Sequence, residues 1–478
     1  MKRFLSVLFS GVTSTLVLSA CGGSMPRLRE TPVPNPTIAI IRANLWDGTG
    51  RGPVANAVTL VRGDRILCAG VAGECPVPPR ARIIDAQGRW LIPGLIDSHV
   101  HLLFLTRGSA SEELSLDLRD LLAQGVTTIR DMGTNPAELL SRVSALSATP
   151  RVYAMQLVAG RRFFFNGFRG TRTGRGVVFR QPPALTMQSL GWNPILYTSS
   201  DDADSIVAAA QKAGAMGLKL YAQLDQESVK KLVAAAHRAG MPVWGHAWVQ
   251  PTSALEQAAA GQDGVVHAAG FAGELFSAEE RDTLVKDGDL QLATAEVATV
   301  GSAHDPRIGA ALDSMARMGT IFEPTLDATR HSVAYFDSKR RHIPSEQENY
   351  VRAGSGFGME VAREAVRRGV RISAGSDHVA YGPSSERASL FGELRLLVDS
   401  ISLTPTAALL AATRDAARAI GGEPARQLGI IQPGRYADLV LLSKNPLVDI
   451  DNLDSVEWIM KGGQIWRPGQ LRSGIAMR

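Results

Sequence analysis

Leu91-Ile92-Pro93-Gly94-Leu95-Ile96-Asp97-Ser98-His99-Val100-His101 lies where one sequence pattern stops and another begins. Before it, residues 38–93 alternate apolar and polar positions between Gly and Asp-Gly turns, as in Ala57-Val58-Thr59-Leu60-Val61 and Arg65-Ile66-Leu67. That period of two predicts a run of short strands. After it, short apolar strands alternate with alanine-rich segments of helical spacing, such as Ser205–Ala213 and Glu227–Ala239. Strand patterns return at Asp438-Leu439-Val440-Leu441-Leu442 and Val456-Glu457-Trp458-Ile459-Met460. The central strand-then-helix repetition predicts a parallel α/β architecture.

Eight barrel strands are expected near residues 95–101, 126–131, 151–157, 216–221, 241–246, 264–268, 319–325 and 370–376. Eight argues for a closed (β/α)8 TIM barrel over residues 94–427. The two outer runs, 38–93 and 428–470, then form a composite β-sandwich built from both chain ends. An open doubly wound sheet is the competing reading, but no G-x-G-x-x-G follows the first strand to support a dinucleotide site.

The chemistry-bearing residues share one position, the C-terminal end of a predicted strand, where barrels of this kind build their sites. Strand one ends on His99 and His101, and residues two apart in a strand face the same side, so both imidazoles can meet one metal. Strand four carries Lys219 among apolar neighbours, strand five ends at His246, strand six at His267, and strand eight leads to Asp377. Alone, each is more often a hydrogen-bonded core residue, and the lysine a buried partner or a snorkelling chain. Together they are four of the nine histidines, a lysine and an aspartate in order around one barrel. Such N and O donors suit Zn²⁺ or a similar divalent ion. His237, His304, His331, His342 and His378 lie in helices or loops, where structural or solvent roles are the default.

The order H-x-H, Lys, His, His, Asp between two β-rich ends resembles the amidohydrolase superfamily, in its imidazolonepropionase-like and prolidase-like (Xaa-Pro dipeptidase-type) branch. The resemblance runs from Ile41 to Gly463 and includes the opening stretch, Thr127-Thr128-Ile129-Arg130-Asp131-Met132-Gly133, Ala411-Ala412-Thr413-Arg414-Asp415-Ala416-Ala417-Arg418, and Pro433-Gly434-Arg435-Tyr436-Ala437-Asp438-Leu439. It implies two divalent ions bridged by a carboxylated Lys219 and a hydroxide. His99, His101 and Asp377 would hold the more buried ion, and His246 and His267 the other. Two cations lower the pKa of a bridging water and polarise the scissile carbonyl. Asp377 would act as general base, then acid. By the same resemblance Tyr221 would hydrogen-bond the tetrahedral oxyanion or a substrate carboxylate; a stacking or core role is the alternative.

On the substrate side the chain departs from its relatives. Gly160-Arg161-Arg162-Phe163-Phe164-Phe165-Asn166-Gly167-Phe168 follows strand three without the histidine that dipeptidase relatives often carry there. Arg161 or Arg162 would serve as a bidentate carboxylate clamp, or lie on the surface. The long aromatic-rich loop over 157–192 is a lid over an apolar substrate or a packed insertion. A second extension, Gly273 to Arg317, carries no functional signal.

The whole chain narrows the setting. Of 478 residues, 45% are hydrophobic and 20% charged, and 51 basic against 46 acidic residues leave a net charge of +5. The run Lys339-Arg340-Arg341-His342 reads as a solvated face, since no basic stripe interleaved with aromatics argues for nucleic acid. At the start, Lys2 and Arg3 precede an apolar stretch, Phe4 to Leu18, too short and too early for a spanning helix. Leu18-Ser19-Ala20-Cys21 closes it and resembles a bacterial lipoprotein signal over residues 1–21, with Cys21 lipidated; an ordinary signal peptide or an uncleaved anchor is the alternative. Gly22 after the cysteine favours, by resemblance, the outer membrane facing the periplasm. Residues 22–37 read as a tether. Contact with the membrane is expected through the lipid alone, and a homo-oligomer remains open. Cys68 and Cys75 are either a disulfide, permitted outside the cytoplasm, or two small thiols.

The leading expectation is a hydrolase of an amide or peptide bond in a small substrate, a dipeptide or N-acyl amino acid. A cyclic-amide (imidazolone-type) or phosphotriester hydrolase is the alternative, because one metal pair serves those reactions and fold alone does not separate them. A non-catalytic binding lipoprotein is the alternative of another class.

Overall fold

The computed structural model describes residues 36–103, 110–161, 194–287, 301–331, 345–379 and 388–473. Cys21, the tether up to residue 35, Arg162 with loop residues 162–193, and the basic run 339–342 lie outside the described residues. Among those described, no helix is long and apolar enough to cross a membrane.

Strands from both chain ends make one sheet. β1 (Ile38–Leu45), β2 (Val54–Arg62) and β3 (Arg65–Val71) are antiparallel neighbours, while β4 (Arg82–Asp85) and β5 (Trp90–Pro93) run parallel to β1 along its other edge. The returning chain adds strands to β5, as detailed below. The sheet wraps on itself: Ile66 N–H donates to Arg435 O at 3.0 Å, and Gly434 N–H to Ile66 O at 2.8 Å. That wrap encloses Ile40, Val61, Leu91, Leu439 and Met460.

The barrel strands are β6 (Leu95–His101), β7 (Val126–Asp131), β8 (Arg151–Gly160), β9 (Ile195–Tyr197), β10 (Gly217–Leu220), β11 (Val243–His246), β12 (Gly264–Val266), β13 (Ile321–Glu323) and β14 (His378–Val379). All pair in parallel, in the order β13-β12-β11-β10-β8-β7-β6-β14, with β9 beside β8. β15 (Leu439–Leu442), β16 (Val456–Lys461) and β17 (Gln464–Trp466) then complete the end sheet, β15 lying antiparallel to β5.

The expected eighth strand differs from the observed chain. Residues 370–376 form an isolated bridge, Ile372 to Phe322, and regular pairing resumes only at β14. The segment still joins the two edges of the sheet. Phe322 N–H donates to Arg371 O (2.8 Å) and Ser373 N–H to Phe322 O (2.9 Å) on one side; Ser98 N–H donates to Ala374 O (3.2 Å) and Asp377 N–H to His99 O (2.9 Å) on the other. Regular strand is lost because Asp377 sits at φ +56° and Gly375 passes against β6 and β13. A Cβ on Gly375 would lie 2.5 Å from His99 Cβ and 2.7 Å from Glu323 Cδ. The unanticipated β9 extends the barrel wall beyond β8.

The boundary between the two sheets is one residue, Gly94. A Cβ there would lie 2.1 Å from Thr127 Oγ1, so no larger residue can turn the chain from β5 into β6 at this spot. The faces then share a core in which Ile92, Val440 and Ile459 pack with Leu95, Leu118 and Val126. Around the barrel, the helices Ala203–Lys212 and Gln226–Arg238 start at Asp202 and Asp225, whose carboxylates accept from the backbone N–H of Asp204 and Ser228. The extension after β12 holds a 3₁₀ helix, Ala268–Leu275, and the helices Ala278–Asp287 and Pro306–Met318.

Cys68 on β3 and Cys75 are joined as a disulfide. Unfolded without reductant, the protein should therefore expose neither thiol, and reduction should expose both. Replacing both cysteines with serine should cost about 2–3 kcal/mol for so short a loop, read as a lowered urea midpoint. Reaction of both thiols in the unreduced, unfolded chain would count against the cross-link.

Candidate metal centre and active site

The C-terminal ends of β6, β10, β11 and β12 and the segment before β14 bring His99, His101, Lys219, His246, His267 and Asp377 around one space. Donor atoms of His99, His101 and Asp377 all lie within 4.8 Å of one another. His99 Nε2 is 3.3 Å from His101 Nε2 and 3.4 Å from Asp377 Oδ1, which is 3.2 Å from His101 Nε2. The ring of His267 is 5.1 Å from that of His99 and 4.7 Å from that of His246, centroid to centroid. Tyr221 lies against His246 at 4.3 Å.

Depth is graded. His99 and Lys219 are fully buried, whereas the side chains of Asp377 and His267 keep 23% and 27% exposure and lie on the open side of the cluster. Burial holds the imidazoles of His99, His246 and His267 neutral, well below their usual range. The same burial pushes Lys219 down to about 7, against the opposing pull of Asp377 and Glu323. Among the described residues its Nζ has no hydrogen-bond partner, a costly state for a buried amine. Burial also opposes ionisation of Asp377, but the surrounding His99, His101 and His267 hold it well below the carboxylate range. Burial, with the nearby Asp377 charge, raises Tyr221 and keeps its hydroxyl protonated.

Beneath these residues lies a layer that sequence patterning did not assign. Glu323, at the end of β13, accepts from His99 Nδ1 at 3.0 Å and from Ser98 Oγ, and pairs with Arg130 Nη2 at 3.1 Å. Arg130 also donates to Ser98 O (2.7 Å) and Ala419 O (2.6 Å), and its guanidinium lies 3.9 Å over the Trp244 ring. Both side chains are fully buried. Two residues beyond Glu323, Thr325 Oγ1 is 2.8 Å from His267 Nδ1. Asp97 accepts from the backbone N–H of Ser376 and of His99 and from Ser376 Oγ, fixing the loop before Asp377 to β6. The available signal was an acidic residue at the end of an otherwise apolar strand, in Ile321-Phe322-Glu323.

Arg161 stands apart from the cluster: it is exposed and paired with Asp201 Oδ1 at 2.6 Å. Described histidines outside the cluster have protein partners, Asp263 for His237, Glu364 for His304, Asp327 for His331 and Asp117 for His378.

An orphaned buried amine, four histidines and an ionised aspartate fit divalent ions, which are ligated by neutral imidazole and by carboxylate. Comparison with known proteins agrees. Residues 90–466 match the amidohydrolase family. An imidazolonepropionase of Rhizorhabdus wittichii is 26% identical over 424 residues, covering 82% of this chain and 90% of that protein. A Xaa-Pro dipeptidase with bound methionine in its active site superposes with a TM-score of 0.66 at 21% identity, over 90% of this chain and all of the other. A molinate hydrolase superposes at 0.68 and 20% identity, over 92% and 96%. The two structural likenesses carry the fold, while the family match spans the barrel, β5 and β15–β17 of the end sheet and every residue of the cluster; the chain belongs to the amidohydrolase family.

Proposed function

We propose that this hydrolase of carbon–nitrogen bonds cleaves an amide or peptide bond in a small substrate, a dipeptide or an N-acyl amino acid, outside the bacterial cytoplasm. The observation that carries the reading is Lys219: fully buried, without a hydrogen-bond partner among the described residues, and drawn down to about 7 among four histidines and Asp377. A neutral amine is the form that adds CO₂, losing a proton, and the resulting carbamate on Lys219 would supply anionic oxygen donors for divalent ions such as Zn²⁺. His99, His101 and Asp377 would hold one ion, and His246 and His267 the other. Ions bound there would activate water and polarise the scissile carbonyl.

The chain's own residues supply the rest. Asp377, ionised and partly open to the mouth, accepts the attacking water's proton and returns it to the leaving nitrogen. Tyr221 stays protonated and can donate its O–H to the oxygen on which charge develops. A cyclic amide is the second substrate class, favoured by the near full-length likeness to an imidazolonepropionase. Assay of dipeptides, N-acyl amino acids and cyclic amides separates the two.

The setting rests on residues 1–21 and on the Cys68–Cys75 disulfide, which suits an oxidising compartment. We take Cys21 as the lipidated residue that holds the protein at the outer membrane.

Metal analysis of the purified protein should find about two divalent ions per chain, and Lys219→Ala should lose at least one. Full activity after exhaustive chelation would end the metal-dependent reading. Asp377→Asn keeps one acceptor oxygen but cannot take a proton near neutral pH. It should retain most of its metal while kcat falls by ~10²–10⁴-fold or more; near-normal kcat would remove Asp377 from proton transfer. Cys21→Ser should move the protein from the membrane to the soluble fraction with hydrolysis intact. A wild type already soluble without detergent, after export in a bacterial host, would refute the anchor.

A further inference from the structure

β13 contributes no residue to the donor cluster, yet its last side chain and one just past its end reach that cluster. Glu323 closes the strand and Thr325 follows two residues later, separated by Pro324. Glu323 takes the Nδ1 side of His99 at 3.0 Å, and Thr325 Oγ1 takes the Nδ1 side of His267 at 2.8 Å. These histidines belong to different halves of the proposed metal pair. We infer that β13 is the orienting strand of the centre, with Glu323 setting His99 for one ion and Thr325 setting His267 for the other. The inference rests on the two-ion reading above.

The chemistry follows from what each bond does to an imidazole. A neutral ring has one N–H and one lone pair, and the partner of one nitrogen decides which atom is left to bind metal. Glu323 is a pure acceptor when ionised, so it selects the Nδ1–H form of His99 and leaves Nε2 as the donor. That Nε2 is the atom which faces His101 and Asp377. Arg130 and Ser98 hold Glu323 from the far side, so the carboxylate cannot swing away. Thr325 fixes the ring plane of His267 through a hydroxyl that can donate or accept.

The backbone indicates that this placement is specified. Thr325 lies at φ +51° and His267 at φ +68°, a region that non-glycine residues, and β-branched ones above all, seldom occupy. His267 N–H donates to Glu323 O at 3.1 Å, and Ala268 N–H to Pro324 O at 3.1 Å, so the two strand ends are laced together at the turn that carries both groups. Glu323 and Thr325 are positioning residues: each acts on the metal through a histidine.

The test is which ion is lost. Thr325→Val keeps the shape and removes the hydroxyl; Glu323→Gln keeps the size and lets an amide N–H face His99. On carboxylated holoenzyme at limiting zinc, chelator competition should show one of the two ions weakened about 10–100-fold in each variant. Anomalous diffraction from crystals of each should show the depleted position beside His99 in Glu323→Gln and beside His267 in Thr325→Val. Thr325→Ser, which restores the hydroxyl, should restore the second ion. A general loss of folding would deplete both positions and would not be repaired by serine in this site-selective way. If Glu323→Gln proves unstable through its effect on Arg130, the Thr325 pair still decides the claim for His267. Two variants that both keep wild-type occupancy, or that deplete the same position, would overturn the inference while leaving the metal centre standing. A wild type that binds no metal would instead sink the reading beneath it.

Discussion

The pairing of Arg130 with Glu323 inside the barrel is the constraint on which the rest of the site depends. One guanidinium touches the carbonyls of Ser98 and Ala419, the carboxylate of Glu323 and the face of Trp244. Those groups come from β6, from the helix Arg414–Ile420, from β13 and from β11. Arg130 itself stands on β7, so the pair ties opposite walls of the barrel across its interior. Taking two charges out of water is expensive, and a well-packed apolar substitute for such a pair is often as stable or more so. Removing one partner alone, however, typically costs about 3–5 kcal/mol because a bare charge stays buried. Burial already draws Arg130 down to about 10, despite the attraction of Glu323. The pair is therefore poorly explained as a source of stability and well explained as a fixed mount for His99.

The mouth of the barrel carries its own cost. His267, Thr325 and Asp377 adopt positive φ without being glycine. Such residues cost roughly 1–3 kcal/mol each and persist where the surroundings over-determine them. Here the surroundings are visible: the Asp377 N–H is held by His99 O, the His267 N–H by Glu323 O, and Ser376 by the Asp97 carboxylate. The same hydrogen bonds that break the regularity of the eighth strand aim Asp377 at the cluster. Geometry at the site is thus set by the scaffold rather than by the metals that would bind there.

This explains what could be read in the chain and what could not. The histidines were legible because strand period and barrel topology place their side chains together: H-x-H on β6, then single residues ending β11 and β12. Lys219 was legible as an oddity, a charge among apolar neighbours. Seven of the eight expected barrel segments carry strands, and the eighth is the one whose backbone is bent to serve Asp377. Glu323 was hidden for a different reason. An acidic residue in an apolar strand announces that it has a partner, but that partner is 193 residues away on β7 and its target 224 residues away on β6. No periodic pattern links positions so far apart. Thr325 gave even less, since a threonine after a proline is ordinary and only its left-handed backbone marks it. The role expected of Arg161 had the opposite fault: its sequence position beside the barrel mouth was suggestive, while its guanidinium is occupied by Asp201.

The charge balance of the buried layer bears on reactivity as well as on shape. A carboxylate that accepts from a ligating histidine makes that imidazole more basic and a stronger donor. Left unneutralised, it would also add a full negative charge beneath the cluster, and a bound cation is a weaker electrophile the more negative its surroundings. Arg130 removes that charge without releasing the hydrogen bond. Burial draws Lys219 down to about 7 and holds the His99, His246 and His267 imidazoles neutral, while Asp377 stays ionised at the mouth. The layer beneath His99 therefore gives orientation while contributing almost no net charge. The positive potential of any ions held above it would be available for the carbonyl oxygen and for acidifying the water whose proton Asp377 is proposed to take.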